Sequence, residues 1–482
     1  MATDLIQKNL KALFNPAAVA VIGASQNPGK LGFHVMKSLT TGNFKGPIVP
    51  VNPTPGDIMG IPTVPSISQF GDPIDLAIIV LPAPQVPGVF EECNQKGVKA
   101  IVLISAGFKE IDDPMGGQRQ TQLSEFASRC GIPVIGPNTF GMINLHRDLN
   151  ASFTPEFSWA EKGGVALVSQ SGGISHLLAF MAMRQRVGLS KVIGLGNRLN
   201  VDFADILPFL MEDPDTRVIA LYLEGLDDPR RLVQSAAAHW GKKPIVAYKA
   251  GSAASGDRAS LSHTGTLAGN PELYQGALKQ AGIFCVDNTQ DLLDLAQALS
   301  LCPLPRGPRI AVLTGQAGPG MAACDVCEAK GLTVTPFGSR TQAAIDRLLP
   351  PLALRTNPVD MGPAWYDSSA IQGIIRAVME DESVDGMMLL MMFASANREA
   401  VPNISDLLRR WRQEKPMITC LNSPPGIWDE QVWDLQKKGA VANFPTPEQA
   451  AKIMAFLWQY RKMMEPHRVS ASIDQTWATT GG

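Results

Sequence analysis

Short apolar runs, among them residues 18–22, 76–81, 100–104, 165–168, 218–222 and 244–248, recur along the chain and alternate with amphipathic stretches. A run that is apolar without alternation belongs to a strand covered on both faces. Parallel sheets with crossover helices on either side supply that environment. The class expected is therefore doubly wound α/β.

At 482 residues the chain exceeds one ordinary core, so three units are sought. Residues 144–164 are polar and aromatic without periodicity and read as a linker; residues 302–308, Cys-Pro-Leu-Pro-Arg-Gly-Pro, cannot continue a helix. The units expected are 1–148, 160–300 and 305–465, followed by a polar tail, 466–482. Val165-Ala-Leu-Val-Ser-Gln-Ser-Gly-Gly173 is echoed by Ile310-Ala-Val-Leu-Thr-Gly-Gln-Ala-Gly318, and the echo suggests two domains of like topology.

Composition excludes several function classes. Forty-two basic against 44 acidic residues, with no Lys/Arg run, offer no track for a nucleic-acid backbone. Seven cysteines scattered without a dense framework read as reduced thiols, and no run of about 18 apolar residues or signal-like N-terminus occurs. The expectation is a cytoplasmic chain that neither binds nucleic acid nor crosses a membrane. Cys324 and Cys327 fall in a helical pattern with no second pair, and Met387, Met388, Met391 and Met392 lie in a strand-like run. Core packing is expected of all six, with no metal site.

Residues 19–32, Val-Ala-Val-Ile-Gly-Ala-Ser-Gln-Asn-Pro-Gly-Lys-Leu-Gly, describe a strand, a glycine-rich turn and a helix start, the arrangement that receives a pyrophosphate. The same glycines would serve a tight turn with no ligand. The next strand ends in Asn52-Pro53 rather than the acidic residue that holds a nicotinamide cofactor's ribose, which disfavours NAD and a Rossmann oxidoreductase. Leu81-Pro82-Ala83, Ser105-Ala-Gly-Phe108 and Gly136-Pro-Asn138 follow later strands and should reach the same carboxyl edge.

Residues 250–265 follow a strand and hold His263 among serines, glycines and small residues. An imidazole in such a loop could take a phosphoryl group if a carboxylate steadied its second nitrogen; equally, a loop histidine can be a plain surface residue. Two segments favour chemistry. Ser169-Gln-Ser-Gly-Gly173 opens a helix whose amides and hydroxyls could hold phosphate, though a capped helix would look the same. Glu224 ends an apolar strand at the same sheet edge and could orient the imidazole.

The order Ser169-Gln-Ser-Gly-Gly173, Gly196-Asn-Arg-Leu-Asn-Val-Asp-Phe-Ala-Asp205, Asp213-Pro-Asp215, Leu221-Tyr-Leu-Glu-Gly225 and Ser262-His-Thr-Gly265 closely resembles the ADP-forming acetyl-CoA synthetases, with the succinyl-CoA synthetases as wider relatives. The likeness runs from about residue 10 to about residue 460. It implies a Rossmann-like CoA-binding domain followed by two flavodoxin-like, succinyl-CoA synthetase-like domains, the last marked by Asn357-Pro-Val-Asp360. It assigns phosphorylation to His263, its support to Glu224 and phosphate binding to Ser169, Gln170, Ser171, Gly172 and Gly173. Coenzyme A would lie on Gly23, Ala24, Ser25, Lys30, Gly32, Asn52, Pro53, Pro82, Ser105, Ala106, Gly107 and Asn138.

The sequence departs from the family's common pattern at Arg198-Leu199-Asn200 and at Thr314-Gly-Gln-Ala-Gly318. No Walker sequence or ATP-grasp segment is present. The resemblance therefore implies that ATP or ADP, with Mg, sits on a separate ATP-grasp β subunit in an α2β2 assembly, with no tightly bound cofactor on this chain. The substrate implied is a small carboxylic acid. The alternative reading is a CoA-binding regulatory or scaffold protein of the same fold without ligase activity.

Overall fold

The computed structural model describes residues 2–251 and 271–465. It divides into two compact units, Met1–Leu292 and Leu293–Gly482.

The first unit holds two sheets. Strands β1 (Val19–Ile22), β2 (Ile48–Val51), β3 (Leu76–Ile79), β4 (Ala100–Leu103) and β5 (Val134–Ile135) form a parallel sheet in the order 2-1-3-4-5, with Val19 level with both Ile48 and Leu76. Helices α1 (Ala2–Phe14), α2 (Leu31–Thr41), α3 (Val86–Lys96) and α4 (Pro114–Cys130) accompany it. The central strands are buried at every residue, as runs apolar on both faces require.

The second sheet is built from β6 (Gly141–Asn144), β7 (Leu149–Ser152), β8 (Lys162–Ser169), β9 (Leu189–Gly194), β10 (Val218–Leu223), β11 (Ile245–Lys249) and β12 (Ile283–Val286), in the order 12-11-10-8-9-6-7. Its five parallel strands repeat the 2-1-3-4-5 order, while β6 runs antiparallel to β9 and to β7. Helices α5 (Gly172–Gln185), α6 (Phe203–Glu212), α7 (Pro229–Ala237) and α8 (Pro271–Gln280) fall between these strands, and α9 (Thr289–Leu301) follows them.

Residues 144–164, expected as a linker, differ from that reading: β7 is buried throughout and pairs with β6. Its polar residues are tolerated because they are satisfied inside. Asn150 Nδ2 donates to Thr154 O at 3.0 Å and to Ser158 Oγ at 2.9 Å, and Ser152 Oγ donates to Asn150 Oδ1 at 2.6 Å.

The second unit carries a third sheet: β13 (Arg309–Thr314), β14 (Thr333–Val334), β15 (Val359–Asp360), β16 (Gly386–Met392), β17 (Met417–Asn422) and β18 (Ala442–Asn443). The order 14-13-16-17-18 is again 2-1-3-4-5 and parallel, with β15 added beside β13. Helices α10 (Ala317–Ala329), α11 (Ser339–Leu348), α12 (Ser368–Met379), α13 (Ala400–Trp411), α14 (Asp429–Lys437) and α15 (Pro447–Met464) complete it. The methionines of residues 387–391 are buried in β16, and Cys327 is buried in α10. Asn357 ties three backbone segments of this unit together. Val312 N donates to its Oδ1 at 2.9 Å, and its Nδ2 donates to Ile310 O and Thr335 O, each at 2.8 Å. Among the described residues no helix is long and apolar enough to cross a membrane.

Candidate active site

A sheet of order 2-1-3-4-5 has its crevice where the winding reverses, between β1 and β3. A cavity of about 640 Å³ opens there. Gly23, Ala24, Ser25, Lys30, Gly32, Asn52, Pro53, Pro82, Ser105 and Ala106 all line it, so the structure brings together ten of the twelve positions expected to hold CoA. Two glycines shape its floor. Gly23 has φ +94, and a Cβ on Gly32 would stand 2.0 Å from Gly23 O, so α2 can start this close to the turn only without side chains. Asn52 Nδ2 donates to Ala24 O at 2.8 Å and braces the same turn.

Gly107 is outside both cavity linings. Its N–H donates to Glu110 Oε1 at 2.6 Å and its carbonyl accepts from Arg119 Nη1 at 2.9 Å, so its polar groups shape the turn after β4. Asn138 lines the second cavity instead, beside Asn197.

That second cavity, about 480 Å³, lies at the carboxyl edge of β8 to β10. Gln170, Ser171, Gly172, Gly173 and Glu224 line it together. Ser169 lies behind the turn, its Oγ accepting from Ser171 N at 3.1 Å and donating to Ser171 O at 3.0 Å. Ser171 caps α5. A Cβ placed on Gly172 or Gly173 meets no atom within 4 Å, so packing does not demand glycine at either position. Bare backbone there leaves the helix-start amides open to an anion.

Gln170 couples this turn to the end of β10. Its Oε1 accepts from Glu224 N at 2.6 Å and Gly225 N at 3.1 Å, while Nε2 donates to Gly225 O at 2.6 Å. Lys249 Nζ donates to Glu224 O at 2.8 Å and to Ala250 O at 2.6 Å. The chain thus departs β11 toward residue 251 directly beside Glu224. His263 lies outside the described residues.

Sequence reasoning passed over several lining residues. Lys109, whose ammonium burial pushes below the ordinary lysine value, follows the predicted Ser105-Ala-Gly-Phe108 turn. Arg198, which the sequence marks only as a departure from pattern, lines the cavity too, and its nearly buried guanidinium meets Asp202 at 2.9 Å and Asp227 at 3.2 Å. Phe140, Phe153 and His176 form an aromatic wall. No spacing signal marks these last three, because they come from different elements.

The motif around residues 196–200 stitches the two sheets of this unit together. Asn197 Nδ2 donates to Glu110 Oε2 at 2.5 Å and to Gln120 Oε1 at 3.0 Å, and Ser124 Oγ donates to Leu199 O at 2.7 Å. Burial raises the Glu110 carboxyl, but hydrogen bonds from Gly107 N–H and the Asn197 amide outweigh it and hold the group below the usual range. The two cavities share Leu31, Ser105 and Ala106. Among the described residues no group of three or more His, Cys, Asp or Glu is placed to hold a metal ion.

Fold and site together define an α/β chain with a nucleotide-type crevice adjoining a helix-start anion site. Comparison with known proteins agrees. A CoA binding domain model matches residues 17–144 and a succinyl-CoA ligase like flavodoxin domain model matches residues 162–299. The chain is 34% identical over 462 residues to acetate–CoA ligase [ADP-forming] II subunit alpha of Pyrococcus furiosus, covering 94% of this chain and 98% of that one. It is 36% identical over 467 residues to acetate–CoA ligase [ADP-forming] I of Archaeoglobus fulgidus, of which it spans 66%. The solved dinucleotide forming acetyl-coenzyme A synthetase 1 of Candidatus Korarchaeum cryptofilum, in complex with phosphate and ADP, superposes with a TM-score of 0.87 at 33% identity, over 94% of this chain and 97% of that one.

The chain belongs to the family of ADP-forming acetate–CoA ligase alpha subunits. That membership weighs against the oxidoreductase reading and against a scaffold without ligase chemistry.

Proposed function

We propose that this chain is the CoA-binding, phosphoryl-carrying subunit of an ADP-forming acyl-CoA synthetase. The observation that carries the reading is the junction of the two cavities at Leu31, Ser105 and Ala106. A CoA whose nucleotide end occupies the β1–β3 crevice can deliver its thiol past these residues to the start of α5. Gly172, Gly173 and Glu224 line that space.

The overall reaction is carboxylate + CoA + ATP ⇌ acyl-CoA + ADP + phosphate. In the reverse sense, phosphate attacks the thioester carbonyl, the C–S bond breaks and CoA leaves as the thiol. The resulting acyl phosphate gives its phosphoryl group to the imidazole of His263, releasing the carboxylate, and phosphohistidine then passes the group to ADP. Helix-start amides stabilise the phosphate charge, and the covalent step divides one transfer between separated sites into two. From Gly251 to residue 263 is a span of up to about 40 Å of extended chain, ample to reach Glu224. Glu224 steadies the ring. In this reading the nucleotide and its Mg belong to an ATP-grasp β subunit in an α2β2 assembly, which the alpha-subunit kinship supports.

Two measurements test this. Incubation with acyl-CoA and radiolabelled phosphate should label the wild-type chain and not His263→Ala, and acyl-CoA formation from ATP should require the ATP-grasp partner. Undiminished label in the variant, or full ligase activity without the partner, would refute the reading.

A further inference from the structure

We propose that Lys109 is a self-acylation site: its side-chain amine takes the acyl group from an acyl-CoA thioester brought into the cavity at the start of α5, an inference that rests on the ligase reading above. Lys109 lines that cavity with Gly172, Gly173 and Glu224. It stands three residues after Ala106, and Ser105 and Ala106 line both cavities. A thioester carried from the CoA crevice toward the helix start therefore passes the turn that bears this amine.

That turn is held in place. Lys109 N donates to Gln120 Oε1 at 3.4 Å, and the next residue, Glu110, accepts from Gly107 N at 2.6 Å and from Asn197 Nδ2 at 2.5 Å. The side chain is not: among the described residues no hydrogen bond or ion pair engages the Lys109 ammonium. The other cation of the lining, Arg198, is occupied by Asp202 and Asp227, and its guanidinium stays charged and offers no nucleophile.

Lysine attacks only as the neutral amine. Burial, the largest cause, lowers the Lys109 pKa and the Arg198 charge adds to it, while Asp227, Asp202 and Glu110 oppose the shift without cancelling it. The site therefore holds more free amine at neutral pH than an exposed lysine does. The neutral Nζ adds to the thioester carbonyl; a C–N bond forms as the C–S bond breaks, and the departing thiolate takes the proton that the nitrogen sheds. An amide is left on Lys109 and CoA leaves as the thiol, with no oxidant or nucleotide in the balance. Holding the thioester beside the amine replaces a bimolecular encounter by a local one, an advantage that a surface lysine lacks.

The test incubates the whole chain with acetyl-CoA, without phosphate or nucleotide, and reads acetyl occupancy at each lysine by peptide mass spectrometry. Lys109 should acetylate about tenfold faster than the exposed Lys45 and Lys279, a small part of what held geometry can supply. Excess desulfo-CoA, which competes for the CoA crevice and carries no thioester, should bring Lys109 down to the rate of those two and leave theirs unchanged. A Lys109 rate no higher than theirs, or one that desulfo-CoA does not lower, overturns the acylation site. Phosphoenzyme formation from the same acetyl-CoA with radiolabelled phosphate is measured in parallel. Phosphoenzyme without Lys109 acetylation sinks this proposal and leaves the ligase reading standing, whereas absence of both labels overturns both.

Discussion

Glycines in the two cavities answer to different forces, and substitution should separate them. In Gly32→Ala the new Cβ would lie 2.0 Å from a backbone carbonyl, so we expect a loss of about 1–3 kcal/mol in stability together with weakened CoA binding. In Gly172→Ala the Cβ enters open space, so stability should hold or rise by up to about 1 kcal/mol while phosphate labelling falls. Denaturation midpoints and labelling yields on both variants check the contrast. Lys191, fully buried, pairs with Asp213 at 2.5 Å, so the Asp213-Pro-Asp215 signature is at least partly a structural ion pair. Lys191→Met strands a buried carboxylate and should cost about 3–5 kcal/mol in chemical denaturation. Glu110 gives a pH signature. Its folded pKa lies below the ordinary 4.5, so its stabilisation is complete above that pH and is lost as pH falls through the folded value. Between about pH 6 and about pH 3.5 the wild type should lose more stability than Glu110→Gln, measured by urea midpoint.

At the scale of elements, the echo between residues 165–173 and 310–318 has a physical counterpart. Gln170 clasps the backbone after β10, and in the second unit Gln316 clasps the end of β16, its Nε2 donating to Met392 O at 3.0 Å and its Oε1 accepting from Met392 N at 3.3 Å. Each clasp joins a strand-to-helix turn to the neighbouring parallel strand. Gln170→Leu would leave the Glu224 N–H and both polar groups of Gly225 without this partner, at about 1–3 kcal/mol for each buried group. Glu224 should shift with it, so the variant should lose phosphoenzyme yield at temperatures where circular dichroism still reports it folded. The central strands were legible because burial on both faces leaves an unbroken apolar run. Strand β7 was not, because Asn150 and Ser152 are polar in sequence and become compatible with burial only through hydrogen bonds that folding creates.

For the whole molecule, the parallel strands of three sheets share one order, and both cavities belong to the first compact unit. A fragment ending at Leu292 should therefore keep CoA affinity within about threefold of the full chain, checked by titration calorimetry. Sequence alone determined the α/β class, the turn at Gly23 to Gly32, the helix start at Gln170 to Gly173 and the acidic strand end at Glu224, because each is written in contiguous residues as periodicity or turn chemistry. Only the tertiary structure decided that the two cavities meet at Leu31, Ser105 and Ala106, that Gly107 turns away to Glu110, and that Phe140, Phe153 and His176 line one cavity with Gly172. The reason is that a site's shape depends on which strand ends become neighbours, and sheet order and register are settled by long-range pairing that no local pattern encodes.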